Sequence, residues 1–232
     1  MRHSDCIQKC ENLSVEMFEK GKIKSVILDF DGVIVESNGI KDKVFRQIFS
    51  LFPEHSDDFW EYHQKHISVS RFAKFDYVLE KIGKPGNDVL KSELLRAFSK
   101  ETLVQMKCVP FVTGAIEFLE KFANRIPLYL ASVTPIEDLM AILDNLQVRS
   151  LFTEVYGCPP WNKPDAIRDI LKNENIEPIN AVLIGDSYGD QRAAAETGIH
   201  FIGRNSGLGF ENPQPKIIIS DLSILATILQ ID

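Results

Sequence analysis

The sequence predicts an α/β protein in which a parallel sheet is covered by helices on both faces, a three-layer core carrying an inserted all-helical domain. Three observations point there. From Phe111 onward, short apolar runs without polar alternation, such as Leu128 to Ala131 and Ala181 to Ile184, alternate with helical segments, as strands buried on both faces do. Between about Gly39 and Met106 apolar residues instead recur at helical spacing, as in Val44, Phe45, Ile48, Phe49 and Phe52, and no strand run interrupts them. Finally, 232 residues with 44% hydrophobic and 25% charged side chains suffice for one sizeable core and a small added domain.

Taken in order, a polar stretch from about Asp5 to Lys20 reads as a helix stopped at Gly21. Strand one runs from Ser25 to Phe30 and delivers Asp29 and Asp31, one residue apart, into the turn at Gly32. Alternate strand residues share a side, so both carboxylates leave together while Phe30 stays buried. Paired carboxylates repel unless a proton or cation lies between them, which invites a divalent metal. Residues 39–106 form the helical insertion, divided by Pro53 and Gly83-Lys84-Pro85-Gly86 into about four helices and left at Val109-Pro110. Residues 1–38 and 107–232 make the core. Its second part reads as a helix from Thr113 to Ala123, strand 128–131, a helix from Pro135, a strand near 154–156, a helix from Pro164 to Lys172, strand 181–184, and short strands near 201–202 and 216–219. Ligands of such sheets bind beyond the carboxyl ends of the strands.

A formal charge of −7 gives the chain no overall attraction for nucleic acid or anionic membranes, so neither is expected as a partner. No segment approaches a membrane span, and the N-terminus lacks the apolar core of a secretory signal. Cys6, Cys10, Cys108 and Cys158 are too few and too irregular for a disulfide framework, which fits a reducing cytoplasm. Cys6 and Cys10 share a helix face, but no further ligand completes a zinc site.

Other strand ends also carry chemistry. After strand 128–131 come Ser132 and the sequence Thr134-Pro135-Ile136-Glu137, which reads as a capping box with Thr134 as N-cap. Ser132, between strand and cap, offers a hydroxyl to an anion. The stiff loop from Gly157 to Pro164 places Lys163 at a loop–helix junction, where a compact ammonium can neutralise a phosphoryl oxygen. Strand 181–184 runs into Gly185-Asp186-Ser187-Tyr188-Gly189-Asp190, a second acidic end. A turn and a helix cap account for one of these aspartates but not both.

The set Asp29-Phe30-Asp31-Gly32-Val33, Ser132, Lys163-Pro164 and Gly185-Asp186-Ser187-Tyr188-Gly189-Asp190 resembles, in order, the four motifs of the haloacid dehalogenase superfamily. The resemblance covers about residues 24–220, and the insertion resembles the cap of its phosphoglycolate phosphatase and β-phosphoglucomutase branch. It implies a Rossmann-like core and a Mg²⁺-dependent phosphatase acting through an aspartyl-phosphate on a small phosphorylated metabolite. Asp29 is then the nucleophile and Asp31 the general acid and base. The Asp29 carboxylate, the Asp31 carbonyl and Asp186 hold Mg²⁺, and Ser132 and Lys163 bind the phosphoryl group. Asp190 supports the metal or orients Lys163. Dehalogenases lack the second aspartate and transport ATPases carry threonine there, so Asp31 argues for phosphate transfer from an alcohol. The mutases carry a Glu-Asp pair where this chain has Gly185-Asp186, which favours hydrolysis over the mutase alternative. A non-catalytic regulatory module is disfavoured by the intact Asp29, Asp31, Lys163 and Asp186. Asp165 and Val33 depart from the common pattern without removing a reacting group.

Substrate identity then belongs to the cap. Arg71 and Lys74, three apart on one helix face, are the residues expected to reach a carboxylate or second anion, against a solvated basic face as the alternative. Arg46 is a weaker choice. His55, His63 and His66 read as surface or packing residues, and Phe72, Phe75 and Tyr77 as core or cap contacts.

Overall fold

The computed structural model describes residues 18–67 and 69–231. The helix expected from Asp5, with Cys6 and Cys10, falls for the most part outside the described residues. Strand β1 (Ser25–Leu28) is followed by four helices, α1 (Asn38–Phe49), α2 (Ser56–Lys65), α3 (Arg71–Lys81) and α4 (Asp88–Met106). Then come α5 (Ala115–Phe122), β2 (Leu128–Ser132), α6 (Ile136–Asn145), β3 (Glu154–Gly157), α7 (Lys163–Glu174), β4 (Ala181–Gly185), α8 (Tyr188–Thr197), β5 (His200–Arg204), β6 (Ile218–Ile219) and α9 (Leu225–Leu229). No described helix is long and apolar enough to cross a membrane.

The six strands form one parallel sheet in the order β3-β2-β1-β4-β5-β6. Alternate residues divide it into two cores. Val26, Leu28, Leu128, Leu130, Val182 and Ile184 pack on one face, while Ile27, Tyr129, Ala131, Ala181 and Leu183 pack on the other. Both faces are dry, which is why the runs lack polar alternation. The chain winds outward from β1 through β2 to β3, then returns to β4 on the opposite side of β1. The crevice beyond the ends of β1 and β4 is therefore the switch point at which such sheets hold ligands.

The helices α1 to α4 carry an apolar core of their own, built on Phe45, Phe49, Phe59, Phe75 and Phe98. Phe45 and Phe98 rings meet at 4.4 Å and Phe45 and Phe49 at 5.5 Å, within the range of favourable aromatic pairs. Packing connects α1 with α4, and α4 with α6 of the sheet domain.

Three local expectations are corrected. Strand one ends at Leu28 rather than Phe30, because the Phe30 carbonyl accepts from the amides of Val33, Ile34 and Val35 and so begins the turn. Helices α8 and α9 are absent from the sequence reading. The cap at residue 134 is also different: α6 starts at Ile136 with Pro135 as N-cap and no side-chain cap bond, because the Thr134 hydroxyl is engaged elsewhere.

Candidate active site

Each sequence-selected group of the core lies at a strand end, and four of them converge. The Lys163 ammonium, buried at the first position of α7, lies 2.9 Å from Asp29 Oδ1 and in close contact with Asp190 Oδ1. Asn162 caps that helix by accepting from the Asp165 amide, so the lysine is fixed from behind. Burial pushes Lys163 down, but Asp190 and Asp29 outweigh it and hold the ammonium above its ordinary range.

Asp190 is fully occupied. Its Oδ2 accepts from the amides of Asp186 and Ser187, at 3.2 and 3.1 Å, and from the Ser187 hydroxyl at 2.7 Å. The Ser187 amide contact is one half of the capping box of α8, and the Asp190 amide donating to the Ser187 hydroxyl is the other. The capping and lysine-orienting roles thus coincide in one side chain.

Asp29, Asp186 and Asp190 each offer an oxygen within 4.8 Å of the others, all buried. One ammonium faces these three carboxylates. Burial, with the neighbouring carboxylates adding to it, pushes Asp29 well above the usual range despite Lys163. Burial and Asp190 push Asp186 up to about 6. Excess negative charge on hard oxygen donors is what a small divalent cation such as Mg²⁺ neutralises, so the residues fit that ion. Gly32 (φ +70°) makes the approach possible: a Cβ there would lie 1.9 Å from Asp186 Oδ2 and 2.6 Å from Asn38 Nδ2. Asn38 Nδ2 donates to Asp186 Oδ2 at 2.8 Å.

Asp31 has different surroundings. Ser37 Oγ donates to its Oδ1 at 2.6 Å, Thr134 Oγ1 donates to Oδ2 at 3.0 Å, and Lys41 Nζ forms a close ion pair with Oδ2. Lys41 also donates to Thr134 Oγ1 at 2.8 Å. Burial pushes Asp31 up, yet Lys41 and the two hydroxyls overcome it and hold the carboxyl below its ordinary range. The two aspartates of one motif are thereby driven in opposite directions. Ser132 Oγ, the remaining core group, accepts from the Thr134 amide at 3.1 Å.

Asp29 and Asp31 open onto a cavity of about 110 Å³ whose other wall is the helical domain, including Lys41, Arg71 and Lys74. Of the two basic residues expected in the cap, Lys74 is buried and Arg71 partly buried, both at the cavity, so they do not form a solvated face. Arg71 pairs across it with Asp138 of α6 at 2.6 Å. Arg46 lies over the Trp60 ring at 3.7 Å and is not among the lining groups. His63, read as a surface or packing residue, packs against the Phe45 ring at 4.5 Å, and it also lines the cavity and lies 3.0 Å from Lys74 and 2.9 Å from Asp42. Sequence reasoning missed Ser37, Asn38, Lys41, Asp42 and Asp138. The polar pair Ser37-Asn38 directly after the first motif was an available signal; Lys41 and Asp138 look like ordinary helix-surface charges.

Residues 26–204 match the model of the haloacid dehalogenase-like hydrolases, and the chain belongs to that family. A phosphoglycolate phosphatase of Psychrobacter arcticus is 26% identical over 196 residues, 80% of this chain and 84% of that protein. CbbY of Rhodobacter sphaeroides, solved as a point mutant in complex with xylulose-(1,5)bisphosphate, superposes with a TM-score of 0.72 at 18% identity, covering 89% of this chain and 99% of that one. β-Phosphoglucomutase from Clostridium difficile gives 0.70 at 16%, covering 90% and 98%. At those identities the two structures establish the shared fold.

Proposed function

We propose that this chain is a Mg²⁺-dependent phosphatase that hydrolyses a small organic phosphomonoester through an aspartyl-phosphate on Asp29. The observation that carries the reading is the convergence of Asp29, Asp186 and Asp190 with Lys163 at the switch point of the sheet. Asp29 and Asp186, with the Asp31 backbone carbonyl, would hold the metal, which supplies charge neutralisation to the phosphoryl oxygens. Lys163 and Ser132 bind the same phosphoryl group, and Asp190 positions Lys163.

An Asp29 carboxylate oxygen attacks phosphorus, the phosphorus–oxygen ester bond breaks, and Asp31 gives its proton to the departing alcohol oxygen. Water then attacks phosphorus, Asp31 takes its proton, and phosphate leaves with Asp29 regenerated. Held ionised by Lys41, Ser37 and Thr134, Asp31 has the base form used in the second step. The first step uses the protonated carboxyl, the form that the Lys41 ion pair disfavours. Helices α1 to α4 cover the cavity and limit water's access to the acyl phosphate.

Hydrolysis is favoured over the mutase alternative by position 185. A Cβ added at Gly185 would lie 2.2 Å from Asp190 Cβ, so a Glu-Asp pair has no room beside this Asp190. The free thiols Cys108 and Cys158 accord with a cytoplasmic location. The test is phosphate release from a panel of phosphorylated metabolites with Mg²⁺ or with EDTA. Release that requires Mg²⁺ and disappears in Asp29→Asn is expected. Metal-independent release, full activity of that variant, or isomerised sugar phosphate exceeding free phosphate would overturn the reading.

A further inference from the structure

Lys74 has an unusual setting for a lysine. Its side chain is buried on α3 and lines the cavity shared with Asp29 and Asp31. The ammonium lies 3.0 Å from His63 Nδ1, donates to the Ile67 carbonyl at 3.3 Å, and stands 4.9 Å from the Phe45 ring centroid. These contacts account for two of its three N–H bonds. The other cations lining the cavity meet carboxylates, Lys41 at Asp31 and Arg71 at Asp138. Among the described lining residues, Lys74 is the lysine or arginine that meets none. An ammonium withdrawn from water without a counter-ion is costly, and a ligand's negative group would supply what the protein leaves out.

His63 explains how the lysine is held. Its Nε2 lies 2.9 Å from Asp42 Oδ1, and a carboxylate only accepts, so Nε2 carries the ring proton. Nδ1 then presents its lone pair to Lys74. Burial depresses His63, and Lys74 works in the same direction against Asp42, which keeps the ring neutral and this tautomer in place. A chain of hydrogen bonds thus runs from the half-exposed Asp42 on α1, through His63 on α2, to Lys74 on α3.

We propose that Asp42 and His63 are positioning residues that hold Lys74 as the selective cation of the cavity, so that the enzyme favours phosphate esters bearing a second negative group, and favours them less as the medium turns alkaline. The inference rests on the phosphatase reading above and adds its specificity device. Burial and the charge of Lys41 push Lys74 down to about 7, with Asp42 opposing. The charged and titratable groups around it are Lys41, Asp42 and Arg46 on α1, His63 on α2, Arg71 on α3, Asp138 on α6, and Asp31 beyond the cavity; α4 contributes Phe98 and Thr102, which do not titrate. The ammonium is present below its pKa and lost above it, so preference for a charged end weakens as pH rises through that value.

The test measures kcat/KM with Mg²⁺ between pH 6 and 9, on the full chain, for 2-phosphoglycolate, ethane-1,2-diol bisphosphate and ethyl phosphate. Taking each value relative to ethyl phosphate cancels ionisation of the phosphoryl group being hydrolysed, and the carboxylate of 2-phosphoglycolate stays ionised across the range. The distal phosphate of the bisphosphate gains charge at about pH 6, so its profile is read above about pH 7. In the wild type the relative value for one or both charged-end probes falls as pH rises through about 7, and which probe responds separates carboxylate from phosphoryl recognition. Lys74→Met lowers it about tenfold or more at low pH and removes its pH dependence. Asp42→Asn, at an exposed position, moves the fall to lower pH because the charge that supported the ammonium is gone. Equal losses on all probes in Lys74→Met, or an unmoved profile in Asp42→Asn, overturn the proposal while leaving the phosphatase standing. No phosphate release from any probe or from the metabolite panel overturns both.

Discussion

Arg204, at the end of β5, ties the first motif to the far side of the sheet and gives the sharpest stability prediction. Its buried guanidinium donates from Nη1 to the Gly32 carbonyl at 3.1 Å and to Glu36 Oε2 at 3.0 Å, from Nη2 to Glu36 Oε1, and from Nε to the Ser220 carbonyl at 3.1 Å. Arg204→Met keeps most of the aliphatic packing and removes every donor. The Gly32 carbonyl, at a buried residue, loses its partner at about 1–3 kcal/mol. Glu36 is 43% exposed, so its ion pair contributes only about 0–1 kcal/mol, and the exposed Ser220 carbonyl rehydrates for less than a buried one. A total near 3 kcal/mol lowers the melting temperature of a chain this size by about 6–12 °C. Thermal and urea unfolding measure it, with Glu36→Gln as control, which keeps an acceptor and is expected to cost no more than about 1 kcal/mol. If Arg204→Met lies within about 1 kcal/mol of wild type, or if Glu36→Gln matches it, the clamp on the Gly32 turn does not exist as described.

Gly32→Ala drives a Cβ into Asp186 Oδ2 and Asn38 Nδ2 from a left-handed backbone, so Mg²⁺ should no longer raise the melting temperature and phosphate release should fall about 100-fold or more. Thr134→Val removes a donor to the charged Asp31 and an acceptor for Lys41; steady-state kinetics should show kcat reduced roughly 10–100-fold with KM little changed. Lys163→Met leaves Asp29 and Asp190 buried without their cation, at a cost of about 3–5 kcal/mol in unfolding experiments, and phosphate release should be lost with it.

Much of the core was legible because its signals are local. The strand runs, the glycines at 32 and 185 and the acidic or basic residue at each strand end are read within a few positions, and parallel topology then brings the ends together. What was hidden depends on distant partners. Thr134 sits in a faultless capping pattern, yet Asp31, 103 positions earlier in the chain, takes its hydroxyl. His63 is polar on an amphipathic helix and becomes buried only because Asp42 and Lys74, from two other helices, satisfy both ring nitrogens. Arg71 and Lys74 share a face as their spacing implies, but only the fold shows that one meets Asp138 and the other no carboxylate. Helix α8 escaped notice because its Ala-rich sequence carries little apolar periodicity, and α9 because five residues are too few to establish a period.

The central claim is that Asp29 carries the phosphoryl group between the two steps. Acid quenching of the wild-type enzyme during turnover with Mg²⁺, followed by borohydride reduction and peptide mass spectrometry, tests it directly. Reduction of an aspartyl-phosphate converts that residue to homoserine, and the account predicts homoserine at position 29 alone, dependent on both substrate and Mg²⁺. Trapping at Asp31, Asp186 or Asp190 instead, or steady release of phosphate by Asp29→Asn, would contradict it.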